Sequence, residues 1–334
     1  MTIREETEKI ERETLSPRAC LAECSQGRER PEEPCPTRTC FQLDIDRVVH
    51  SKSFRRLKHK TQVFLEPEGD HYRTRMTHTL EVMRVARTIA RGLRLNEDLT
   101  EAIALAHDLG HTPFGHAGER ALASVMPGGF RHAEQSLRVV DRLEKDGEGL
   151  NLCYEVRRGI LCHTAGEQAE TLEARVVRLS DRLAYLCADI DDAMRGKIIY
   201  PTDIPITVSQ ALGFTHGERL NTLVVDAIEA SRGAQDICQS ERCERATAEL
   251  MEFMYAAVYR NPVAKGEEGK AEALVCSLFD YYRAHPDELP DEYAAIYLTE
   301  GAERAACDYI AGMTDKFAIE RYNDLFLPKS WTVK

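Results

Sequence analysis

The sequence predicts an all-α protein with a helical core, an extended N-terminal arm and a C-terminal helical subdomain. Apolar residues recur at helical spacing from about residue 75 onward, and capping residues and glycines mark the ends of these segments. No segment shows convincing strand alternation beyond a short candidate pair in the arm, and no internal repeat is present. We expect the arm over residues 1–45, the core over residues 46–200 and the C-terminal subdomain over residues 201–334.

The composition narrows the classes of function. The chain has 334 residues, enough to bury a large core, and its 44 Lys and Arg against 56 Asp and Glu give a net charge of -12. This charge repels polyanions and argues against a general nucleic-acid or anionic-membrane binder, while leaving room for a local basic patch. The start is charged where a signal peptide needs an apolar stretch, and no run of eighteen apolar residues occurs. We therefore expect a cytoplasmic protein without a membrane partner.

Residues 1–40 are polar and interrupted by prolines, which predicts an extended arm with a short helix at its start. Four cysteines fall in this arm: Cys20, Cys24, Cys35 and Cys40. They could form a zinc site, two disulfides or a set of reduced thiols. Their gaps of three, ten and four residues lack the tight pairs of a zinc knuckle. The eleven cysteines of the chain are odd in number and widely spread, so reduced thiols are favoured.

A basic segment precedes the core helices. Residues 41–63 read FQLDIDRVVHSKSFRRLKHKTQV, and no acidic residue follows Asp46 within them. The basic side chains are Arg47, Lys52, Arg55, Arg56, Lys58 and Lys60. A solvated helix face is the simplest interpretation of such a run. The interleaved His50 and His59 favour an anion-binding wall instead, because guanidinium groups match phosphate oxygens.

The core is predicted as a series of helices after a turn from Glu66 to Asp70. The first predicted helix spans about residues 75–92, and the second runs from a cap at Asn96 or Thr100 to near Gly110. The third runs from the HTPFG loop to the MPGGF break at 126–130. A fourth begins at residue 132, and a fifth spans 151–165. Residues 173–197 then form a strongly apolar helix, in which Asp181, Tyr185 and Asp189 are spaced four apart and line one stripe. Because carboxylates are seldom buried without a partner or a cation, this stripe suggests a metal.

A linker over residues 200–205 lacks a helical period and leads into a run of amphipathic helices. These are predicted over 206–213, 218–232, 241–260, 269–284, 290–298 and 301–320. None of them carries a motif that indicates a function.

Two histidines and two aspartates form a candidate set of metal ligands. His78, the adjacent His107 and Asp108, and the distant Asp181 come from three predicted helices. Neutral imidazole and carboxylate suit a divalent ion such as Mn, Mg, Fe, Co or Zn, without the thiolates of a structural zinc site. Four protein ligands leave open positions where water or a phosphate oxygen can bind. The sequence does not indicate which ion is native.

Further polar residues beside this set predict phosphoryl chemistry. His116 and Glu119 are three residues apart and share a helix face, so the carboxylate can orient an imidazole that moves protons. His111 is close enough in sequence to contact phosphate. Arg55 of the basic segment is a further candidate substrate contact. Together these residues predict hydrolysis of a phosphoester or a phosphoanhydride.

Four segments carry a resemblance to a known family: FRRLKHKTQVF, RTRMTHTLEV, HDLGHTPFGHAGE and SDRLAYLCADIDDA. They are similar to the HD-domain superfamily and, more narrowly, to the shorter bacterial branch of the deoxyguanosinetriphosphate triphosphohydrolase-like enzymes, over about residues 25–200. The resemblance implies an HD-domain helical core and a homo-oligomer. It also implies hydrolysis of dGTP or several deoxynucleoside triphosphates (dNTPs) to the deoxynucleoside and tripolyphosphate. LDIDR stands where the family commonly has RDRDR, so no allosteric site is carried over.

The resemblance also implies a role for each site residue. His78, His107, Asp108 and Asp181 match the metal ligands, while His116 and Glu119 match the pair that handles the attacking water or the leaving 5' oxygen. Arg75 and His111 match phosphate contacts, Tyr185 and Asp189 match sugar contacts, and Gln62 lies where the family has a sugar or base contact. Tyr185 would exclude a 2' hydroxyl by packing on the sugar, and Asp189 would bond the 3' hydroxyl.

Two alternatives remain open. One is an HD phosphohydrolase that acts on a nucleoside monophosphate or a guanosine alarmone, but a monophosphate needs less positive charge than the basic segment supplies. The other is a nucleotide or single-stranded nucleic-acid sensor with residual hydrolysis, in which the basic segment binds a strand end weakly. The sequence does not indicate which dNTP is preferred.

Overall fold

The computed structural model describes residues 1–62, 73–164, 166–261 and 266–329. Within these ranges the chain forms sixteen α-helices, and its only β pairing consists of isolated bridges. The all-α class predicted from the sequence is therefore confirmed. The turn predicted from Glu66 to Asp70 lies outside the described residues. No described helix is both long enough and apolar enough to cross a membrane.

The N-terminal arm begins with helix α1, Ile3–Thr14, and then runs in extended form along the core. Its contacts with the core are buried and polar. Arg28 Nη1 donates to the carbonyl oxygen of the core residue Asn151 at 2.6 Å, and the core residue Glu173 accepts a hydrogen bond of 2.9 Å from the backbone N–H of Cys20. The four cysteines of the arm, like the other seven, are free thiols. The arm is thus tied to the core rather than detached from it.

Eight further helices complete the part of the chain that precedes residue 200. They are α2 Cys40–Val49, α3 Lys52–Arg56, α4 Arg75–Leu93, α5 Glu97–Ala106, α6 Gly115–Val125, α7 His132–Arg138, α8 Tyr154–Leu161 and α9 Leu172–Arg195. Asn96 caps α5, because its side chain accepts hydrogen bonds from two backbone N–H groups of the first turn. Helix α5 ends at Ala106, earlier than predicted, and a turn continues to Gly110. A Cβ on Gly110 would lie 2.1 Å from the backbone nitrogen of Ser136, so α7 packs directly against this turn.

The C-terminal part consists of seven helices. They are α10 Ile206–Leu212, α11 His216–Ser231, α12 Glu241–Met254, α13 Glu268–Ala284, α14 Asp291–Glu300, α15 Ala302–Ala311 and α16 Asp315–Phe326. A π-helical turn, Tyr255–Tyr259, continues α12. The single helix predicted over 301–320 is wrong, because the chain forms two helices there. Gly312 ends α15, and the Thr314 side chain caps α16 by accepting from the backbone N–H of Phe317 at 3.3 Å.

Three apolar clusters hold these helices together. The first joins the arm to helices α4, α5, α8 and α9. The second packs α6 against α13 and α15, with Leu122 and Phe279 fully buried at its centre. The third packs the later turns of α9 against α10, α11 and α12. Helices α6 and α9 therefore each pack against C-terminal helices, and side chains of both line one cavity.

Candidate active site

A cavity of about 810 Å³ lies where α4, α6 and α9 meet the π-helical turn after α12. Ten of the residues predicted for the site line it: Gln62, Arg75, His78, Asp108, His111, His116, Glu119, Asp181, Tyr185 and Asp189. His107 lies directly behind this wall, with Nε2 3.7 Å from Asp108 Oδ2. A volume of this size accommodates a ligand as large as a nucleotide.

The four predicted metal ligands converge at one end of the cavity. His78 Nε2 lies 3.0 Å from Asp181 Oδ1, and His107 Nε2 lies 3.9 Å from the same oxygen. His78, His107 and Asp108 also bring one ligand atom each within 4.8 Å of one another. Burial would raise the pKa of Asp181, but the hydrogen bond with His78 and the charges of the neighbouring imidazoles together lower that pKa to about 2. The carboxylate is therefore ionised and able to bind a cation.

The ring of His107 tests whether this set fits a metal ion. Its Nδ1 donates to the carbonyl oxygen of Ala104 at 2.6 Å, so the hydrogen of the neutral ring is on Nδ1 and Nε2 carries the lone pair. This Nε2 is buried and has no hydrogen-bond partner among the described residues. An unpartnered buried lone pair that faces two carboxylates is the arrangement expected of a metal ligand. The residues present therefore fit a divalent ion.

Arg75 forms the wall next to this cluster. Its Nη1 donates to Asp108 Oδ2 at 2.6 Å, and both side chains are buried. Burial raises the pKa of Asp108, but Arg75 and the neighbouring imidazoles together hold the pKa well below its ordinary value. Beside them, burial and the charge of Arg75 hold the pKa of His111 well below its ordinary value, so this imidazole is neutral. The cavity wall thus has one guanidinium and one uncharged imidazole next to the aspartate.

Glu119 is shared by two histidines. Its Oε2 accepts from His116 Nδ1 at 3.3 Å, and its two oxygens lie 2.9 and 3.0 Å from His132 Nδ1. Burial would raise the pKa of Glu119, but the hydrogen bonds from both imidazoles hold it well below its ordinary value. Burial would lower the pKa of the His132 imidazole, but the hydrogen bond with Glu119 and the negative charges of Glu119 and Asp108 together raise it. The His116–Glu119 pair predicted from the sequence thus has a third member.

The opposite end of the cavity is aromatic and has one carboxylate. Asp189 is 3 % exposed, and burial raises its pKa to about 7. Its Oδ2 accepts a hydrogen bond of 2.5 Å from the hydroxyl of Tyr259, while Oδ1 is buried without a partner in the described structure. Tyr185 lines the same end and lies one turn before Asp189 on α9. This end therefore offers a flat apolar surface and an unused hydrogen-bond acceptor.

Comparison with known proteins places this geometry in a family. Residues 75–186 match the HD domain, and residues 237–324 match the phosphohydrolase-associated domain. A deoxyguanosinetriphosphate triphosphohydrolase-like protein of Caldanaerobacter subterraneus subsp. tengcongensis is 54% identical over 331 residues, which cover 99% of this chain and 98% of that protein. The chain belongs to the deoxyguanosinetriphosphate triphosphohydrolase-like family. It is thus an HD phosphohydrolase, as the sequence motifs predicted.

Other members of the deoxyguanosinetriphosphate triphosphohydrolase-like family give the same result. The protein of Desulfatibacillum aliphaticivorans is 50% identical over 98% of this chain and 99% of its own length, and that of Clostridium perfringens strain SM101 is 46% identical over 98% and 99%. Among solved structures, a hypothetical protein from Aquifex aeolicus matches with a TM-score of 0.50 and 21% identity, over 86% of this chain and 68% of that one. This structural likeness supports the fold alone.

Three residues at the site of this family member carried no prediction from the sequence: His132, His163 and Tyr259. His163 is 2 % exposed, and its ring centroid lies 5.0 Å from that of His107. Its Nε2 faces His132 Nε2 at 3.3 Å. Both histidines stand beside apolar helical segments, which is the signal that could have drawn attention to them. Tyr259 had no such signal, because tyrosine is common in amphipathic helices.

The structure does not bring Arg55 to the cavity. Its side chain is exposed and donates to the carbonyl oxygen of His50 at 2.9 Å. The basic segment instead contributes Lys60, which is 2 % exposed and donates to the carbonyl oxygens of His111 and Ala311. Burial, aided by the charge of a nearby arginine, lowers the pKa of Lys60 to about 7. This lysine therefore supports the loop that carries His111, whereas Arg55 lies on the outer surface.

Proposed function

We propose that this protein hydrolyses dGTP or several dNTPs to the deoxynucleoside and tripolyphosphate. The single observation that carries the proposal is the division of one cavity into two ends. A His-Asp cluster and Arg75 lie at one end, and Asp189 with its unpartnered Oδ1 lies beside Tyr185 at the other. A nucleotide has the matching polarity, with phosphates at one end and a sugar and base at the other. The names of the relatives support the same substrate class.

The residues at the phosphate end suit attack on the α phosphorus. A bound divalent ion would be held by His78, His107, Asp108 and Asp181, and it supplies Lewis-acid polarisation of a phosphate oxygen. Arg75 and the neutral His111 bind phosphate oxygens. His111 remains uncharged in this role and donates a hydrogen bond, while the guanidinium provides the positive charge.

His116 is the residue to which we assign the proton transfer. Because its Nδ1 donates to Glu119, its Nε2 carries the lone pair. Water forms the new bond to the α phosphorus, Nε2 takes the proton of that water, and the bond from phosphorus to the 5' oxygen breaks. The attacking and leaving oxygens lie on opposite sides of the phosphorus in an in-line displacement, so the 5' oxygen takes its proton from solvent and Nε2 later returns its own proton to solvent. One deoxynucleoside and one tripolyphosphate leave for each water consumed. Glu119 holds the ring in orientation throughout.

The sugar end would distinguish deoxyribose from ribose. Asp189 Oδ1 is free to accept from a 3' hydroxyl, and Tyr185 packs on the sugar where a 2' hydroxyl would collide with it. Gln62 lines the cavity with a buried Oε1 that has no partner among the described residues, so it is available to a sugar or base group. These contacts select the sugar without indicating which base is preferred.

The proposal is tested by incubating the purified protein with each dNTP in the presence of Mn or Mg and separating the products by chromatography. The expected products are the deoxynucleoside and tripolyphosphate, with the matching ribonucleotide left uncleaved. Release of a nucleoside diphosphate or monophosphate would overturn the proposal. Turnover of a nucleoside monophosphate or a guanosine alarmone in preference to every dNTP would favour the alternative HD phosphohydrolase.

One observation favours weak binding of single-stranded nucleic acid as a second candidate function. Arg55, Lys58 and His59 form an exposed basic surface outside the cavity, and within the described part of the chain the Arg55 side chain donates to a backbone carbonyl. If this surface binds a strand, an oligonucleotide binds the His116→Ala variant as well as the wild type, and dNTP does not compete.

A homo-oligomer is also expected from the family resemblance, and light scattering on a gel-filtration column measures it.

A further inference from the structure

Two histidines that the proposed mechanism does not use form a connected chain with the pair that it does use. The chain runs from His163 through His132 and Glu119 to His116. His163 is buried behind the cavity and does not line it, whereas His116 has a side chain that is 68% exposed. We propose that His132 and His163 are positioning residues, which fix the carboxylate of Glu119 and thereby set the tautomer of His116.

His163 determines which atom donates and which accepts in each hydrogen bond of this chain. Its Nδ1 donates to the carbonyl oxygen of Ile160 at 2.7 Å, because a carbonyl oxygen can only accept. The ring is buried, which favours its neutral form, so Nε2 carries only a lone pair. His132 Nε2 lies 3.3 Å away and must donate to it. A backbone carbonyl on α8 thus determines which nitrogen of His163 faces His132.

His132 holds Glu119 from the other side of its ring. Its Nδ1 lies 2.9 and 3.0 Å from the two carboxylate oxygens and donates to them. Its backbone N–H donates a further bond of 2.9 Å to Oε1. The carboxylate therefore has contacts from the side chain and from the backbone of one residue, at the start of α7. These contacts fix both the position and the plane of the carboxylate.

The fixed carboxylate then decides the tautomer of His116. Among the described residues, Glu119 is the only hydrogen-bond partner of the His116 ring, at 3.3 Å from Nδ1. An exposed imidazole with no partner prefers its hydrogen on Nε2, which would leave Nε2 unable to accept a proton. With Glu119 in place the hydrogen stays on Nδ1, and Nε2 is the acceptor. His132 and His163 therefore affect the proton transfer without taking part in it.

Because the inference rests on the proposed function only for its effect on turnover, its main test needs no substrate. Nitrogen-15 NMR of the imidazoles reports which nitrogen carries the hydrogen. In the wild-type protein the His116 ring is expected with hydrogen on Nδ1. In His132→Leu and in Glu119→Gln the population is expected to move to Nε2, while His132→Asn, which keeps a donor near the Nδ1 position, retains the wild-type tautomer. An unchanged His116 tautomer in folded His132→Leu overturns the proposal.

The ring of His163 also lies beside His107 and within reach of Asp181, so its role could be metal binding instead of positioning. Two variants of His163 distinguish these roles. His163→Gln keeps an acceptor near the Nε2 position, and His163→Asn does not. We expect both variants to retain the metal content of the wild type by elemental analysis, and only His163→Asn to shift the His116 tautomer. Loss of the metal from both variants would make His163 a ligand instead and would overturn its assignment here.

A kinetic cycle completes the test once the wild type is shown to release tripolyphosphate. His132→Leu and Glu119→Gln are each expected to lower kcat by about 100-fold, with a smaller effect on KM. The kcat of the double variant should be within about 3-fold of the kcat of the slower single variant, because both changes disrupt the same chain of hydrogen bonds. Fully additive losses contradict the inference. A wild type that releases no tripolyphosphate refutes the proposed function and leaves the NMR result standing by itself.

Discussion

The hydroxyl of Tyr259 donates a hydrogen bond of 2.5 Å to Asp189 Oδ2, and this bond joins the C-terminal helices to the proposed sugar end of the cavity. Tyr259 stands on the π-helical turn after α12, and Asp189 stands on α9. The bond occupies one carboxylate oxygen and leaves Oδ1 without a partner in the described structure. The carboxylate is thus already oriented before the proposed substrate binds.

Removing this hydroxyl in Tyr259→Phe should weaken substrate binding. A hydrogen bond to a charged group contributes about 1.5 to 3 kcal/mol. Above pH 7, where Asp189 is ionised, kcat/KM for the preferred dNTP should therefore fall by about tenfold to a hundredfold, mainly through KM. Steady-state kinetics with that dNTP measures the effect. Tyr255→Phe is the matched control, because its ring lies 5.3 Å from that of Tyr259 and no hydrogen bond of its hydroxyl is present in the described structure. Equal losses in both variants would contradict the role given to the Tyr259 hydroxyl.

Asp181 and Asp189 stand two turns apart on α9 and should have separate roles. Asp181→Ala removes a carboxylate that lies 3.0 Å from His78 and 3.9 Å from His107, so the variant should lose the metal and all activity. Asp189→Ala should keep the metal and lose the preference for deoxyribose over ribose. Elemental analysis of the two purified variants checks the first statement, and paired assays with a dNTP and its ribonucleotide check the second. Equal metal content in the two variants would refute this division.

Asp315 should stabilise the loop that carries the site. Its Oδ2 accepts from the backbone N–H of Thr61 at 2.9 Å, and its Oδ1 accepts from the backbone N–H of Phe114 at 2.9 Å, in a position that is 2 % exposed. Asp315→Ala leaves both buried donors unsatisfied, so the free energy of unfolding should fall by about 3 kcal/mol. Asp324→Ala on the same helix removes only partly exposed ion pairs and should leave the free energy of unfolding nearly unchanged. Urea unfolding followed by circular dichroism compares the two, and similar losses would count against this role.

Cys35 should be a reactive thiol of the arm. The hydroxyl of Thr37, 3.3 Å from its Sγ, and neighbouring backbone N–H groups lower the pKa of Cys35 to about 6. Burial instead raises the pKa of Cys20. Because a lowered pKa populates the thiolate at lower pH, alkylation of Cys35 by iodoacetamide should reach half of its maximal rate near pH 6, far below Cys20. Peptide mass spectrometry measures both rates, and Thr37→Val should move the Cys35 midpoint upward. A midpoint that Thr37→Val does not move would exclude the hydroxyl as the cause.

The helices and the local motifs could be predicted because they depend on residues that are near one another in the chain. Asn96 caps its own helix, and His116 and Glu119 meet across one turn, so spacing and residue type suffice. The split at Gly312 was missed because the apolar pattern continues across it. A short break hardly changes the spacing of the apolar residues, and only the cap at Thr314 distinguishes two helices from one.

The sequence by itself determined the all-α class, the family and the residues that could bind a metal, since these follow from helical periodicity and from short motifs. Only the tertiary structure decided which distant side chains complete the site. His163 reaches His132 because α7 and α8 pack together, Tyr259 reaches Asp189 because the C-terminal helices cover α9, and Arg55 faces away because α3 buries Phe54 instead. The physical reason is that packing fixes the direction of each side chain, and spacing along one helix cannot specify what a second helix brings to meet it.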